Sequence, residues 1–496
     1  MFRKAGIANQ LKTLTTLACF LLITFSALAS AYLPKTAYAA SNTPAINGSL
    51  LPGVSNGDNS PPSSTIAANA SEELELTNTS FEVLNHKKVI NTDTTSNLFN
   101  ANGYFVSDPQ TIWDASTNRF YISMFENQGS TSPDEGLVWG FSKNADPTSA
   151  SDFCTYFNNY NYGATSFPDR EDLGDSANFI LITSDRFTTA GESLVGSDVA
   201  WITKPGSAAY TSCPSASSFG TGITALKNAD GTAPFAPTPA RQVDSSATSY
   251  ILATPSYVGA SSMTEFSVTK AANGSAVIGA PKSVPVPAYS APPPAPQAGK
   301  SLSGAKAMPL QTRIYLTQTI MSVDPRLNQT ELWTAHTIAG GAGSVVKWYE
   351  INPVTLKVAQ QGTVSNPKLY VYNGTITPDR EVNGKKFAFG DSAVVNVNTS
   401  SSKNYTAIQM VSVVSGQPES PLVMVQQSTG PDVDFTCFEV NAVECRWGDY
   451  SGSVPDPSAP ITGAHGQVWT VNQWNIPDID DSTPVWQTSV WNSKIL

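Results

Sequence analysis

The sequence predicts an all-β protein whose sheet units repeat around a closed ring, a single β-propeller. Three observations lead there. No apolar spacing of helical period persists over four turns; the chain instead carries short β-branched and aromatic runs broken by Gly, Asn, Asp and Pro. The runs recur in a cycle of roughly 55 to 70 residues, counted six times. Units of three or four strands with no closed core of their own must stack on their neighbours, and a ring lets each do so on both faces.

Taken in chain order, the first element is an export signal. Arg3, Lys4 and Lys12 precede an apolar run from Leu14 to Ala29, and small residues follow at Ala29-Ser-Ala31 and Ala37-Tyr-Ala39. The run is shorter than the ~20 apolar residues a stable span needs, so residues 1–39 read as a cleaved signal peptide, not an anchor. An extracellular, secreted protein is expected, with cell-surface association as an option and no transmembrane anchor. Residues 40–80 are rich in Ser, Asn, Pro and Gly and read as a flexible low-complexity tether. The propeller is then expected over residues 81–496, with Phe81 to Asn91 pairing into the last blade to close the ring.

Each cycle opens on a polar residue or acid, small residues and an aliphatic position: Ser107-Asp-Pro-Gln-Thr-Ile112, Gly174-Asp-Ser-Ala-Asn-Phe179, Val243-Asp-Ser-Ser-Ala-Thr248, Tyr372-Asn-Gly-Thr-Ile376 and Gly448-Asp-Tyr-Ser-Gly-Ser453. A weaker unit surrounds Gln311 to Leu316. Aromatic second strands follow, among them Phe120 to Phe125, Phe179 to Thr183, Leu332 to His336, Phe387 to Gly390 and Val468 to Trp474. Six blades are expected, with seven as the near alternative and two β-sandwiches as the structural rival. Residues 281–299 hold seven prolines and read as an extended surface loop.

Charge and cysteines narrow the partners. The formal net charge of −11 becomes −15 once the four cations of residues 1–39 are removed. That field repels polyphosphates, so nucleic acid is excluded as a partner, whereas neutral polymers and cations are not. Of the cysteines, Cys19 lies in the apolar run; the other four, an even set in an exported chain, predict disulfides Cys437–Cys445 and Cys154–Cys213.

The segment Cys445-Arg-Trp-Gly-Asp-Tyr-Ser-Gly-Ser-Val-Pro-Asp-Pro457, followed by Val468-Trp-Thr-Val-Asn-Gln-Trp474, is similar to a signature near the C-terminus of a group of secreted, sialidase-like β-propeller proteins. Asp108-Pro-Gln-Thr-Ile-Trp-Asp114 and Leu332-Trp-Thr-Ala-His336 fit the same pattern, and the resemblance covers about residues 100 to 480. It implies a sialidase-like architecture without supplying an activity. The chain lacks a Ser-x-Asp-x-Gly-x-x-Trp box and an Arg-Ile-Pro near the first blade, so sialidase chemistry would rest on fold analogy alone.

In a ring, the acids opening the cycles should gather at one mouth. Asp108, Asp175, Asp244 and Asp449 are therefore candidates for metal binding, with calcium the ion suited to carboxylates, or for catalysis as paired carboxyl groups. The third reading is that each aspartate ties down its own turn. Arg446, Trp447 and Tyr450 place a cation and two aromatic faces beside Asp449, a pattern suited to sugar rings. Arg241 and Arg313 are candidates to hold an acidic sugar's carboxylate, and His336 is a candidate for the mouth. The function expected is binding of a carbohydrate or cell-surface polymer by a monomer. A glycoside hydrolase or polysaccharide lyase, and a structural or adhesive scaffold, are the alternatives.

Overall fold

The computed structural model describes residues 42–496 except 56–58, 102, 128–134, 164, 191–192, 440–441, 478–479 and 481–482. The expected signal peptide lies outside the described residues.

These residues build seven antiparallel units of four principal strands. Their first strands are Thr65–Ala68, Phe105–Asp114, Ser166–Asp175, Phe235–Gln242, Leu316–Asp324, Tyr370–Pro378 and Gly452–Pro455. Each first strand touches that of the next unit, and Gly452–Pro455 touches Thr65–Ala68, so the ring closes. Between units 4 and 5 the contact becomes parallel pairing, Ala240 opposite Thr319 and Gln242 opposite Met321.

Among the described residues, seven apolar clusters lie between successive units, because each sheet is buried on both faces. The period-2 geometry of a strand divides its side chains between the two. In Arg119–Asn127, Phe120, Ile122 and Met124 pack with Leu74, Phe81 and Val83 of unit 1. Tyr121, one residue out of phase, packs with Leu173, Ile180 and Ile182 of unit 3. This explains why the second strands read as continuous apolar and aromatic runs.

The structure corrects the expected organisation in four places. Within the expected tether of residues 40–80, Pro44–Ile46 and Leu51–Ser55 pair with Trp486–Ile495 of the last unit, while Thr65–Ala68 and Glu73–Leu76 begin unit 1. The segment Phe81 to Asn91, expected to close the ring, instead lies in Ser80–Leu84 and Val89–Thr94 of unit 1, so the described residues form seven units, the alternative to the six expected. Phe387 lies in a two-stranded hairpin outside the main sheet, and the second strand of unit 6 is Ser392–Ser401. Within the proline-rich segment, Lys282–Ser290 is an outer strand that buries Val284 and Val286 and turns Pro285 and Pro287 outward, where their missing N–H breaks no ladder. The chain then crosses to unit 6, where Pro296 accepts a hydrogen bond from Ser400 (2.8 Å), before returning to unit 5.

The seam between units 7 and 1 carries a buried acid. Glu75 accepts from the Val54 N–H (3.3 Å) and from the Thr488 hydroxyl, both in the closing unit. Burial, reinforced by Glu82, pushes its carboxyl up to about 8. The folded state therefore holds this proton more tightly than the unfolded chain, whose Glu titrates near ~4.3. The resulting stability is complete below ~4.3 and is lost as pH rises through about 8. Thermal midpoints measured from pH 5 to pH 9 should fall with rising pH, and Glu75→Gln should flatten that decline.

Candidate functional site

The site is built by an irregularity repeated at one end of the first strands. Ser63, Asp108, Arg170, Ala236, Asn373 and Asp449 all have positive φ, between 48° and 61°, within the first half of their strands or two to three residues before them. The pairing register shifts beside four of them, between Ser107 and Gln110, Asp169 and Asp172, Phe235 and Thr238, and Tyr372 and Thr375. Such bulges re-aim side chains at a sheet's end. Left-handed backbone is uncommon for residues other than glycine, and Asp and Asn tolerate it best.

At this end lies a cavity of about 1570 Å³, lined by Asp108, Asp169, Arg170, Arg313, Tyr315, Arg446, Asp449 and Tyr450 near the axis. Asp449 is 7% exposed and is clamped by Arg446 (Nη2 to Oδ2, 2.6 Å) and Arg313 (Nη2 to Oδ1, 3.3 Å). Its backbone carbonyl accepts from the Tyr315 hydroxyl (2.8 Å). The two clamping arginines keep 43% and 36% of their side chains exposed. Arg170 lies over the Tyr315 ring, 3.1 Å from its centroid, and 5.8 Å from that of Tyr450. The Tyr450 hydroxyl is buried with no hydrogen-bond partner among the described residues.

The carboxyl groups divide by their surroundings. Burial raises Asp108 to about 7, with Asp169 and Asp449 adding to the rise and Arg446 and Arg170 opposing it. Burial also raises Asp169, and it drives Glu171 well above the carboxylate range, with Asp108 and Asp169 reinforcing the shift. Burial acts on Asp449 too, but the guanidinium groups of Arg446, Arg313 and Arg170 outweigh it and hold this acid below its ordinary value. One end of the cavity thus carries an acid protonated near neutrality beside one that stays ionised.

Of the residues singled out in the sequence, Asp108, Asp449, Arg446, Tyr450 and Arg313 meet here. Asp175 and Asp244 do not, because they follow from or close their first strands instead of opening them. Asp175 lies six residues beyond Asp169, roughly 20 Å along an extended strand. It pairs with Lys204 (2.6 Å) and accepts from the Gln242 N–H of the next unit (2.8 Å). Asp244 pairs with Arg380 (2.8 Å) and accepts from Val323 N–H (2.9 Å), again in the next unit. Both are stitches between units, the structural role left open by the sequence.

Three other candidates are buried away from the mouth. Trp447 is 2% exposed, donates to Asn398 (3.1 Å) and packs with Leu310, Tyr372, Cys437 and Cys445. It offers no face to a sugar. His336 sits between Ile314 O (3.0 Å) and the Tyr349 hydroxyl (3.2 Å), and burial lowers it to about 4. Arg241 lies on the ring's axis, donating to Gln110 (2.6 Å) and Asp172 (3.2 Å). Both expected disulfides are present, and Cys437–Cys445 immediately precedes Arg446. Among the described residues, no three His, Cys, Asp or Glu side chains converge as metal ligands.

The sequence reading missed Asp169, Arg170, Glu171 and Tyr315. A signal existed: Asp169-Arg-Glu-Asp172 is a run of four charged residues in a chain only 14% charged. Such a run ordinarily marks a solvated face, yet Glu171 and Asp172 are 0% and 4% exposed.

No family model matches this chain, and no curated protein does. Among solved structures it is similar to the parainfluenza virus 5 hemagglutinin-neuraminidase ectodomain at TM-score 0.40 and 10% identity, over 85% of this chain and 96% of that one. Trypanosoma rangeli sialidase gives TM-score 0.39 and 9% identity, over 90% of this chain and 60% of that one. An exo-β-1,3-galactanase from Clostridium thermocellum gives TM-score 0.33 and 9% identity, over 91% and 99%. Likeness at this level adds nothing to what the closed ring of sheets already shows about the fold.

Proposed function

We propose that this protein works outside the cell and binds an acidic carbohydrate, as a free glycan or as part of a cell-surface polymer, in the cavity at its mouth. The carrying observation is that three arginines, Arg170, Arg313 and Arg446, stand at the cavity's axial end, the last two with side chains partly exposed. Guanidinium groups bind carboxylates through paired N–H donors. The extracellular setting is supported by two disulfides. Among the described residues no helix is long and apolar enough to cross a membrane.

A glycan array rich in sialylated and uronate-bearing structures tests this reading. Arg446→Ala should weaken the best hits at least tenfold, a loss of about 1.4 kcal/mol, in line with a charge-assisted hydrogen bond. Unchanged binding in both Arg446→Ala and Arg313→Ala would remove the cavity from consideration.

A second reading, cleavage of the bound glycan, is favoured by one observation: Asp108, raised to about 7, faces the same cavity as the ionised Asp449. That is the division of labour a glycosidic general acid and its partner need.

A further inference from the structure

The cavity does not stop at the axis. It continues across the mouth edge of unit 4, past Phe235 on the first strand, Ser262 and Thr264 on the third, and Lys282 and Ser283 on the outermost. Three strand spacings separate the Phe235 strand from the Lys282 strand, roughly 14 Å. The volume of about 1570 Å³ also exceeds the roughly 300–1,000 Å³ of ordinary small-molecule sites.

The outer part has its own recognition chemistry. Tyr257, 61% exposed, stands edge-on to Phe235 with ring centroids 6.0 Å apart, presenting an aromatic surface over the cleft. Lys282 keeps 47% of its side chain exposed, and its nearest carboxylate, Glu265, is 4.0 Å away. An aromatic face and a loosely held cation at the far end of a cleft whose near end holds arginines make two separated subsites.

We infer that the ligand is a linear acidic oligosaccharide of several rings, held by one charged ring at the arginines and by a later ring against Tyr257 and Lys282. This rests on the carbohydrate reading above and adds the chain length to it. Lys282, on the strand roughly 14 Å from the Phe235 strand, lies beyond the reach of a single ring at the arginines. Tyr257 packs on Phe235 (6.0 Å between centroids), which in turn packs on Tyr315 (6.3 Å), so it stands one contact further out and serves the rings that follow the first.

Isothermal titration of the intact protein with sialyl, glucuronyl and galacturonyl ligands, each series running from one to six rings, tests it. The six-ring member of the series that binds should be held about tenfold or more tighter than its single ring. Tyr257→Ala and Lys282→Ala should each erase most of that gain and leave single-ring affinity unchanged, whereas Arg313→Ala should weaken every length. Both outer residues are exposed, so these variants should fold, as circular dichroism would verify. Equal affinity for one and six rings, or outer variants that leave six-ring binding intact while Arg313→Ala abolishes it, would overturn the extended ligand and spare the site. Absence of binding throughout all three series would overturn the carbohydrate reading itself.

Discussion

Replacing Arg241 with leucine should cost about 3 kcal/mol or more of folding stability, because it strips the partner from a buried charge at the centre of the ring. Arg241 is 5% exposed and Asp172, its partner in unit 3, is 4% exposed. The same guanidinium reaches Gln110 of unit 2, so one side chain of unit 4 ties three units across the axis. Gln318 does the matching work on the other side, donating to Ile376 O, Thr377 and Ser453 of units 6 and 7. Loss of the arginine leaves the Asp172 carboxylate with neutral donors, the Leu173 N–H (2.8 Å) and the Thr238 hydroxyl, and no cation. Urea unfolding measures the cost directly. Adding Asp172→Asn should recover part of it, since no unpaired charge then remains. A single-variant loss under 1 kcal/mol would show that the axial bridge does not hold the ring.

Under the cleavage reading, Asp108→Asn should lower turnover by about 10²–10⁴, the usual contribution of a positioned general acid. The substitution is conservative here for a specific reason: residue 108 has φ of 56°, and asparagine tolerates that backbone at least as well as aspartate. Its backbone N–H donates to Asn78 Oδ1 (2.7 Å), a bond the variant keeps. The proton required is present below about 7 and is lost above it, so the wild-type rate should fall as pH rises past that value. Reducing-sugar release from a polysaccharide panel, followed from pH 5 to pH 9, provides the measurement. Full turnover by Asp108→Asn would remove the acid role, and a panel with no turnover at all would leave binding as the function.

Much of the site was legible before the fold was known. The Arg446-Trp-Gly-Asp-Tyr450 run supplied three groups that line the cavity, and Asp108 and Arg313 were marked for the same mouth. Two errors came from phase. A first strand has an acid near each end in several units, Asp108 with Asp114 and Asp169 with Asp175, and local sequence does not say which end faces the mouth. Asp175 and Asp244 were matched with Asp108 and Asp449 although they occupy the opposite end. Unit 1 was overlooked because its opening strands are four residues each and carry Glu73 and Glu75, acids buried by their neighbours and not by their own preference.

By itself, the sequence determined the strand class, the disulfide pairs and the kinds of group available at the mouth. These follow from side-chain period, turn residues and the even set of four cysteines that remains once Cys19 of the apolar run is set aside. Only the tertiary structure decided the seventh unit, the closure of the ring by residues 44–55 on the last strands, and the meeting of Asp108, Arg170, Arg313 and Asp449 from four different units. Those depend on contacts between residues hundreds of positions apart. Burial, which sets whether an aspartate carries a proton or a tryptophan meets solvent, is a property of the assembled ring and of no single strand.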